Sequence, residues 1–428
     1  MIAGSSRDNN QGRRGIPSPR HRVPESSSLY QAPERLAAKV STYRGRMPCI
    51  VNIIAPVGYG KTSLAAAVSR TFFSRHIWLT LTEEYSPDLP FRSDLARAFQ
   101  EAGFVFSEEP ESGEIFHDQT PVCLVLDNLH LLPREESSCL IRLFSVLPQK
   151  SLIVLCSDED HSLPLSLLRI DNRILELRIE DMAATKADAE AFFARLGSSP
   201  SGEELELVLQ KTGGWWACIR LFAVTWAQLT TDDRKNFLIQ FRATDRFIRE
   251  FLTENIDSRL FPEHIHLLQS ISVCSHIRIE LAAILCGQQE DLVRKSFHDL
   301  ELRYLLLPGG HGWYRLPVML KQYYYAGLDR ETRKILHRRA SEWFGLQQMP
   351  KMTAHHLRKA GIQSPLAPRE TEILVQASRG LNNAEIGEQL FISQGTVKWH
   401  MNRILEKLGC SNRTAAVEIA RKNGFITV

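Results

Sequence analysis

The segment APVGYGKTSL at residues 55–64 carries the residue types of a phosphate-binding loop. Such a loop needs glycines that let backbone N–H groups surround phosphate oxygens, a lysine for the outer phosphates and a hydroxyl for Mg²⁺. Two glycines, Lys61 and Thr62 supply these groups, whereas Ala55 stands where the motif has its first glycine. We therefore expect ATP or ADP to bind at Gly58, Tyr59, Gly60, Lys61, Thr62 and Ser63.

An acidic residue follows about 65 residues after the loop, at the end of a predicted strand. The run CLVLDNL at 123–129 places four apolar residues before Asp127, an arrangement typical of a carboxylate that holds Mg²⁺ from the tip of a strand. We expect Thr62 and Asp127 to hold the Mg²⁺ that accompanies the nucleotide. Asn128 occupies the place where many ATPases carry a second carboxylate, and an amide accepts no proton. Whether the chain is an enzyme is therefore uncertain, and we expect at most a weak ATPase. No catalytic residue is predicted.

The segment from 366 to 424 has helix signals at short intervals. Pro368 suits a first helical position, and Gly380 ends that helix. Asn382 with Glu385 three residues later forms a capping box, and Ser393 caps the next helix. One face of that helix is apolar over Val397, Met401, Ile404, Leu405 and Leu408.

The opposite face of the same helix is polar and cationic. A short helix, a tight turn and a second helix with such a face is the geometry that enters a DNA major groove. Lys398 and Asn402 have the chemistry to read base edges, and Trp399 to contact thymine methyl groups. Thr396, Arg403 and Lys407 are expected at phosphates, which give register without sequence information. A helical bundle with a solvated face is the alternative that the spacing alone leaves open.

Strands that alternate with helices precede this segment. CIVNIIA, HIWLTL, PVCLVLDNLHLL, SLIVLCS and RILELRI read as strands of a parallel α/β sheet. From about 183 the patterns are helical, except that YLLLPGGHGWYRLP at 304–317 predicts a hairpin and with it a winged helix. The predicted division is a disordered basic arm (1–29), a P-loop nucleotide-binding α/β domain (30–182), a helical domain (183–260), a winged-helix-like domain (261–330), a short helical pair with linker (331–363) and a helix-turn-helix domain (364–428).

Composition excludes several classes of protein. The 428 residues carry a net charge of +3, with 43% hydrophobic and 24% charged residues, which is typical of a globular chain. The eight cysteines lack CxxC spacing, so buried reduced thiols in a cytoplasmic protein are expected. No secretory signal and no apolar run of about 18 residues occurs, so no membrane partner is expected.

A family resemblance rests on these motifs. PRETEIL, GLNNAEIGEQLFISQGTVKWHMNRILEKLG and NRTAAV resemble the LuxR-type DNA-binding domain. The resemblance implies that 396–408 is the recognition helix, with Lys398, Trp399 and Asn402 at base-contacting positions. It also implies a dimer contact through helix 413–422.

The upstream motifs are similar to those of the large ATP-binding LuxR regulators, the MalT-like group of STAND signalling ATPases. APVGYGKTSL, CLVLDNLHLL, TGGWWACIRLFA and GWYRLP occur in that family's order. The resemblance implies a transcription regulator in which bound ADP holds a closed monomer, and in which an inducer and ATP promote oligomers that activate transcription. Its partners would be double-stranded promoter DNA, RNA polymerase, further copies of the chain and an unknown inducer or regulatory protein.

The chain departs from that family at three site positions. Relatives usually carry a second acid at Asn128, an arginine where Ser157 and Asp158 lie, and a histidine where Pro317 lies. They also carry a long helical sensor, of which 331–361 is at most a remnant. A DNA-binding regulator with a degenerate, non-nucleotide-binding scaffold, and an NTPase with a DNA-binding tail, therefore stand as alternatives.

Overall fold

The structure, a computed structural model, describes residues 18–24, 32–43, 49–85, 90–104, 120–161, 163–362, 364–423 and 425–426. The chain divides between residues 239 and 240 into two compact units, each with its own contacts. Within the described ranges, no helix is long and apolar enough to cross a lipid bilayer.

The first unit is built on a five-stranded sheet with the order β2-β3-β4-β1-β5. Its neighbouring strands pair in parallel. β1, β3 and β4 are buried along their whole length, because runs of valine, isoleucine and leucine suit a sheet covered on both faces. The strands are β1 Cys49–Ile54, β2 His76–Thr80, β3 Cys123–Asp127, β4 Leu152–Ser157 and β5 Ile174–Leu177. The predicted parallel α/β fold is thereby confirmed.

Helices connect these strands and build the core with them. Leu95 and Phe99 of one helix and Leu140 and Leu143 of another pack with the sheet in a single buried cluster. The helices of this part are α1 Glu34–Tyr43, α2 Lys61–Phe72, α3 Phe91–Glu101, α4 Ser137–Val146 and α5 Ser166–Ile170. Because β4 pairs in parallel with β1 and with β3, the carboxyl ends of these three strands lie at one edge of the sheet.

The amino-terminal arm is not disordered throughout, contrary to the prediction for 1–29. Residues 18–24 contain a single helical turn, Pro19–His21, and the His21 ring is buried. Its Nε2 lies 2.9 Å from Oδ1 of Asp94 on α3, and Arg20 pairs with Glu84. A buried histidine with a carboxylate partner holds this segment on the domain. Residues 1–17 and 25–29 lie outside the described residues.

A helical segment completes the first unit. Its helices are α6 Ile179–Met182, α7 Lys186–Arg195, α8 Gly202–Thr212, α9 Trp216–Gln228 and α10 Thr231–Gln240. Thr185 and Ser201 cap α7 and α8 with capping boxes. The predicted helical domain, 183–260, is divided, because the boundary between the two units falls inside it.

The second unit begins with helices and a hairpin. Its first elements are α11 Arg246–Asn255, α12 Pro262–Ile271, α13 Ile279–Cys286, α14 Glu290–Leu302, β6 Leu307–Gly310, β7 Trp313–Arg315 and α15 Val318–Gly327. β6 and β7 pair antiparallel, and a bridge between Ile277 and Tyr314 ties the hairpin to the turn before α13. The helices α12, α13 and α14 precede this hairpin, and the winged-helix-like domain stays a prediction.

Six further helices end the chain: α16 Arg330–Leu346, α17 Pro350–Lys359, α18 Pro368–Ser378, α19 Asn383–Leu390, α20 Gln394–Leu408 and α21 Arg413–Lys422. The first two lie within 330–359, where a short helical pair with linker was expected over 331–363. The last four share one apolar core that contains Ile373, Ile386, Val397 and Ile404.

A pair of buried histidines holds α16 against α17. The Nδ1 atoms of His337 and His356 lie 2.8 Å apart, so one ring donates and the other accepts. Phe344 stacks on His356, and Cys274 lies 4.0 Å from the Nε2 of that ring. Burial, together with positive neighbours, lowers the pKa of His337 to about 4 and that of His356 to about 3.

This pair predicts a loss of stability in acid. Because both folded-state pKa values lie below the ordinary value, the unfolded chain binds protons that the folded chain excludes as pH falls below about 6.5. Between pH 7 and pH 5 the wild type should therefore lose about 1–2 kcal/mol more stability than His356→Gln, measured by urea denaturation at both pH values. The control is His266→Gln, at an exposed position of α12, which should behave as the wild type does. Equal losses in the wild type and His356→Gln would contradict the assignment.

Candidate functional site

The phosphate-binding loop has the backbone that its sequence predicts. β1 ends at Ile54, and α2 begins at Lys61. Gly58 and Gly60 both have φ of 83°, the left-handed region that suits glycine. This conformation turns the loop so that the amino end of α2, whose first N–H groups have no partner within an α-helix, lies at the carboxyl edge of the sheet.

Ala55 fits the loop without strain. Its side chain is fully buried, and its backbone N–H donates to the carbonyl of Ser157 at 3.2 Å, which continues the pairing of β1 with β4. Ala55 does not adopt a positive φ. Because the position is an extension of the strand, its conformation does not demand glycine.

The two residues predicted to hold Mg²⁺ lie in contact. The hydroxyl of Thr62 donates to Oδ2 of Asp127 at 2.9 Å. Asp127 is buried at the end of β3, and burial raises its pKa, opposed by the Thr62 hydrogen bond and the nearby Lys61 charge. Within the part of the chain that the structure describes, no three histidine, cysteine or acidic residues are grouped to hold a metal by themselves. A Mg²⁺ here would therefore take its other ligands from phosphate and water, which is usual for this ion.

Lys61 has a partner that the sequence did not reveal. Its ammonium lies 2.5 Å from Oδ1 of Asp158 and donates to the carbonyl of Pro56 at 3.0 Å. Asp158 follows β4, the strand between β1 and β3, so its backbone lies beside the loop. The available signal was positional, since a polar residue directly after a strand adjacent to β1 must lie at the same edge of the sheet.

Asn128 adopts a left-handed conformation with φ of 60°, which asparagine tolerates better than most residues. Its backbone N–H donates to Oδ1 of Asp127 at 3.1 Å, and its side-chain amide reaches the carbonyl of Leu81 at 3.5 Å. These contacts give Asn128 a part in shaping the strand end. The expectation of slow hydrolysis stays a prediction.

Trp215, which precedes α9 of the helical segment, packs on the loop. The indole N–H of Trp215 donates to the carbonyl of Val57 at 3.0 Å. The backbone N–H of Ala217 donates to the carbonyl of Gly58 at 2.9 Å. Tyr59 stacks on Trp215 with ring centroids 5.7 Å apart. Tyr59 is buried, so only its backbone is placed to meet phosphate. The start of α9 is thereby coupled to the loop conformation.

The carboxyl-terminal helices form a helix-turn-helix. Asn382 accepts from the backbone of Ala384 and Glu385, and Ser393 accepts from Thr396, as the capping patterns predict. Between the two caps, a Cβ on Gly387 would meet the carbonyl of Ile392 at 2.7 Å. The close approach of α19 to the turn thus requires glycine at 387, a requirement that the capping patterns did not reveal.

The two faces of α20 are divided as predicted. Val397, Met401 and Ile404 are buried. Lys398, Asn402 and Arg403 are exposed, as is Trp399 with 52% of its surface accessible. The guanidinium of Arg403 lies 4.8 Å from the centroid of Trp399, which orders both side chains outside the core.

All three residues expected at phosphates have partners within the protein, since Nε of Arg403 lies 3.9 Å from Oε1 of Glu370. The ammonium of Lys407 lies 2.6 Å from Oε2 of Glu370, a buried carboxylate on α18 that also accepts from the N–H of Ala367 at 2.7 Å. The hydroxyl of Thr396 lies 2.8 Å from that of Ser393 in the helix cap. In this structure Lys407 therefore holds α20 to α18, and its role at DNA stays a prediction.

Comparisons with known proteins agree with this arrangement. Residues 364–420 match the bacterial regulatory proteins of the luxR family. The chain is 45% identical over 65 residues to the uncharacterized transcriptional regulatory protein YxjL of Bacillus subtilis, which covers 15% of this chain and 30% of that protein. It is 25% identical over 393 residues to the HTH-type transcriptional regulator MalT of Klebsiella pneumoniae, which covers 83% of this chain. The carboxyl-terminal domain is therefore a luxR-type helix-turn-helix.

The upstream fold also has a solved counterpart. The Walker-type ATPase PABY2304 of Pyrococcus abyssi is similar over 68% of this chain and 94% of its own, with a TM-score of 0.51 and 12% identity. At that identity the likeness concerns the fold, and it confirms the predicted α/β P-loop architecture. The chain spans 41% of the length of the MalT relative and 30% of YxjL.

The Glu370 pair predicts a specific loss of stability. Glu370→Gln removes the charge that Lys407 meets at a buried position, and charge-assisted bonds of this kind contribute about 1.5–3 kcal/mol. Urea denaturation should show a loss of that order. The matched control is Glu372→Gln on the same helix, which removes an exposed pair with Arg369 and should change stability by less than about 0.5 kcal/mol. Similar small effects in both variants would contradict the role assigned to Glu370.

Proposed function

We propose that the chain is a sequence-specific DNA-binding transcription regulator, an activator, whose nucleotide-binding domain controls self-association. The observation that carries the DNA-binding half is the outward face of α20, where Lys398, Trp399 and Asn402 are exposed above a buried core. The name of the MalT relative, an HTH-type transcriptional regulator, supports the same assignment. Binding promoter DNA implies a cytoplasmic protein.

On DNA, α20 would lie in the major groove. Lys398 supplies a donor for guanine, Asn402 supplies the donor and acceptor pair that adenine requires, and Trp399 supplies apolar surface for thymine methyl groups. Arg403, ordered over Trp399, is placed along the flank where phosphates pass. Contact through α21 would pair two copies of the chain on a DNA site with two-fold symmetry. RNA polymerase is the proposed partner in activation of transcription.

The nucleotide half rests on the contact of Thr62 with Asp127 beside a loop with glycines at 58 and 60. MgATP or MgADP would meet the N–H groups of residues 58–63, the ammonium of Lys61 and the hydroxyl of Thr62. Because Trp215 and Ala217 bond to the loop backbone, a change in the loop on binding is transmitted to α9. This coupling supports nucleotide control of the helical segment, with an inducer or regulatory protein as a further input.

Two other functions remain as alternatives, a scaffold that binds only DNA and an NTPase. The ion pair of Lys61 with Asp158 and the amide at 128 favour a scaffold that no longer binds nucleotide and leaves DNA binding constitutive. An NTPase enzyme with a DNA-binding tail would instead show turnover that Asp127→Ala abolishes. Asn128 counts against this enzyme, since a second carboxylate for activating water is missing at that position.

Lys398→Ala tests the DNA interface. A specific base contact is worth about 1–3 kcal/mol, so affinity for the selected operator should fall by roughly tenfold or more, measured by fluorescence anisotropy at fixed salt. Lys334→Ala is the control, because Lys334 lies on α16 and pairs with Glu331 outside the recognition helix. Unchanged affinity in Lys398→Ala would refute docking through α20.

Lys61→Ala tests the nucleotide site. The wild type should release or absorb heat in titrations with MgADP or MgATP, and the variant should bind neither, because the loop loses its phosphate-binding cation. Lys186→Ala, which removes an exposed lysine paired with Glu206, should bind as the wild type does. Absence of heat with both nucleotides in the wild type would establish the scaffold alternative.

A further inference from the structure

The phosphate-binding lysine has its strongest contact with an acid that follows the neighbouring strand. Lys61 Nζ lies 2.5 Å from Oδ1 of Asp158, and the two side chains are 7% and 20% exposed. The carbonyl of Pro56 is a second acceptor for the same ammonium, at 3.0 Å. The cation that nucleotide phosphates require is therefore already bound to a carboxylate.

The sheet places this carboxylate between the two parts of the nucleotide site. β4 lies between β1, which delivers the loop, and β3, which ends in Asp127. The residue that directly follows β4 therefore lies beside both Lys61 and the predicted Mg²⁺ ligands. His130 flanks Asp158 on the other side, since the N–H of Asp158 donates to its Nδ1 at 3.3 Å. Asp158 is thus fixed by its backbone as well as by its ion pair.

Nucleotide phosphates must share Lys61 with this carboxylate or displace it. The lysine of such a loop reaches the β- and γ-phosphates. A diphosphate ends near the loop, whereas a triphosphate carries one more phosphate toward the strand ends and adds negative charge there. Like charges that meet at a few ångströms in a partly buried site are costly, so a carboxylate beside Lys61 opposes the added negative charge of a third phosphate.

We propose that Asp158 sets the charge selectivity of this site: by competing for Lys61 and facing the terminal phosphate, it disfavours nucleoside triphosphates relative to diphosphates. The inference deepens the proposed nucleotide binding and rests on it. The role in specificity assigned to Asp158 follows from its contact with Lys61 and not from its position after β4 alone. Occupation by a triphosphate then requires Asp158 to turn away from Lys61.

The test compares MgADP and MgATP by isothermal titration in the wild type, Asp158→Asn and Asp160→Asn. Asp158→Asn keeps the side-chain shape and removes the charge. Asp160→Asn is the matched control, because Asp160 lies two residues further along the same loop and pairs with Arg178 instead of Lys61. Thermal melting of each variant checks the fold, and Asp158→Ser replaces Asp158→Asn if the asparagine variant melts early.

The wild type should bind MgADP about tenfold or more tightly than MgATP. Asp158→Asn should bring the two affinities within about threefold, chiefly by tighter MgATP binding, while Asp160→Asn keeps the wild-type ratio. Equal affinities in the wild type, or an unchanged ratio in Asp158→Asn, would overturn the proposal while leaving nucleotide binding intact. If neither nucleotide binds the wild type or Asp158→Asn, nucleotide binding itself fails, and the selectivity falls with it.

Discussion

The carboxyl edge of the parallel sheet is the constraint on which the nucleotide half of the molecule depends. Because β4 pairs with β1 on one side and β3 on the other, the residues that follow these strands must lie together. This geometry joins Thr62 to Asp127 and Lys61 to Asp158, pairs whose members lie far apart in the sequence. The same edge receives Trp215, so the loop that would hold phosphate also holds the helical segment.

The DNA-binding half depends on the division of α20 into two faces. Burial of Val397, Met401 and Ile404 fixes the rotation of the helix about its axis. The adjacent positions must then face outward, and this rotation exposes the residues with base-reading chemistry. Gly387 permits the close approach of α19 to the turn that precedes α20. Lys407 of α20 binds the buried Glu370 of α18 and so holds the two helices together.

Local patterns in the sequence were sufficient to predict the helix caps, the loop glycines and the positions of the strands. The capping box of Asn382, the cap at Ser393 and the positive φ of the loop glycines each follow from residues within a few positions, and each is present. The strand positions follow from runs of β-branched and aliphatic residues in the same way. The luxR-type domain was recognisable because its motifs are contiguous.

Contacts between distant residues were not recoverable in this way. Lys61 and Asp158 are 97 residues apart, and Glu370 and Lys407 are 37 apart, so neither pair has a local pattern. Lys407 consequently read as a free phosphate-binding cation. His21 read as part of a disordered arm, because its buried partner Asp94 is 73 residues away on α3. Each of these contacts joins a charged or polar group to a partner that only the tertiary fold brings near, and the role of Lys407 at DNA stays a prediction.

We propose that nucleotide bound in the first unit controls assembly of the DNA-binding chain. Sedimentation velocity of the full chain without nucleotide, with MgADP and with MgATP at saturating concentration measures this directly. We expect a monomer without nucleotide and with MgADP, and a larger species that appears with MgATP and grows with protein concentration. The same distribution of species under all three conditions, with both nucleotides bound, would contradict it.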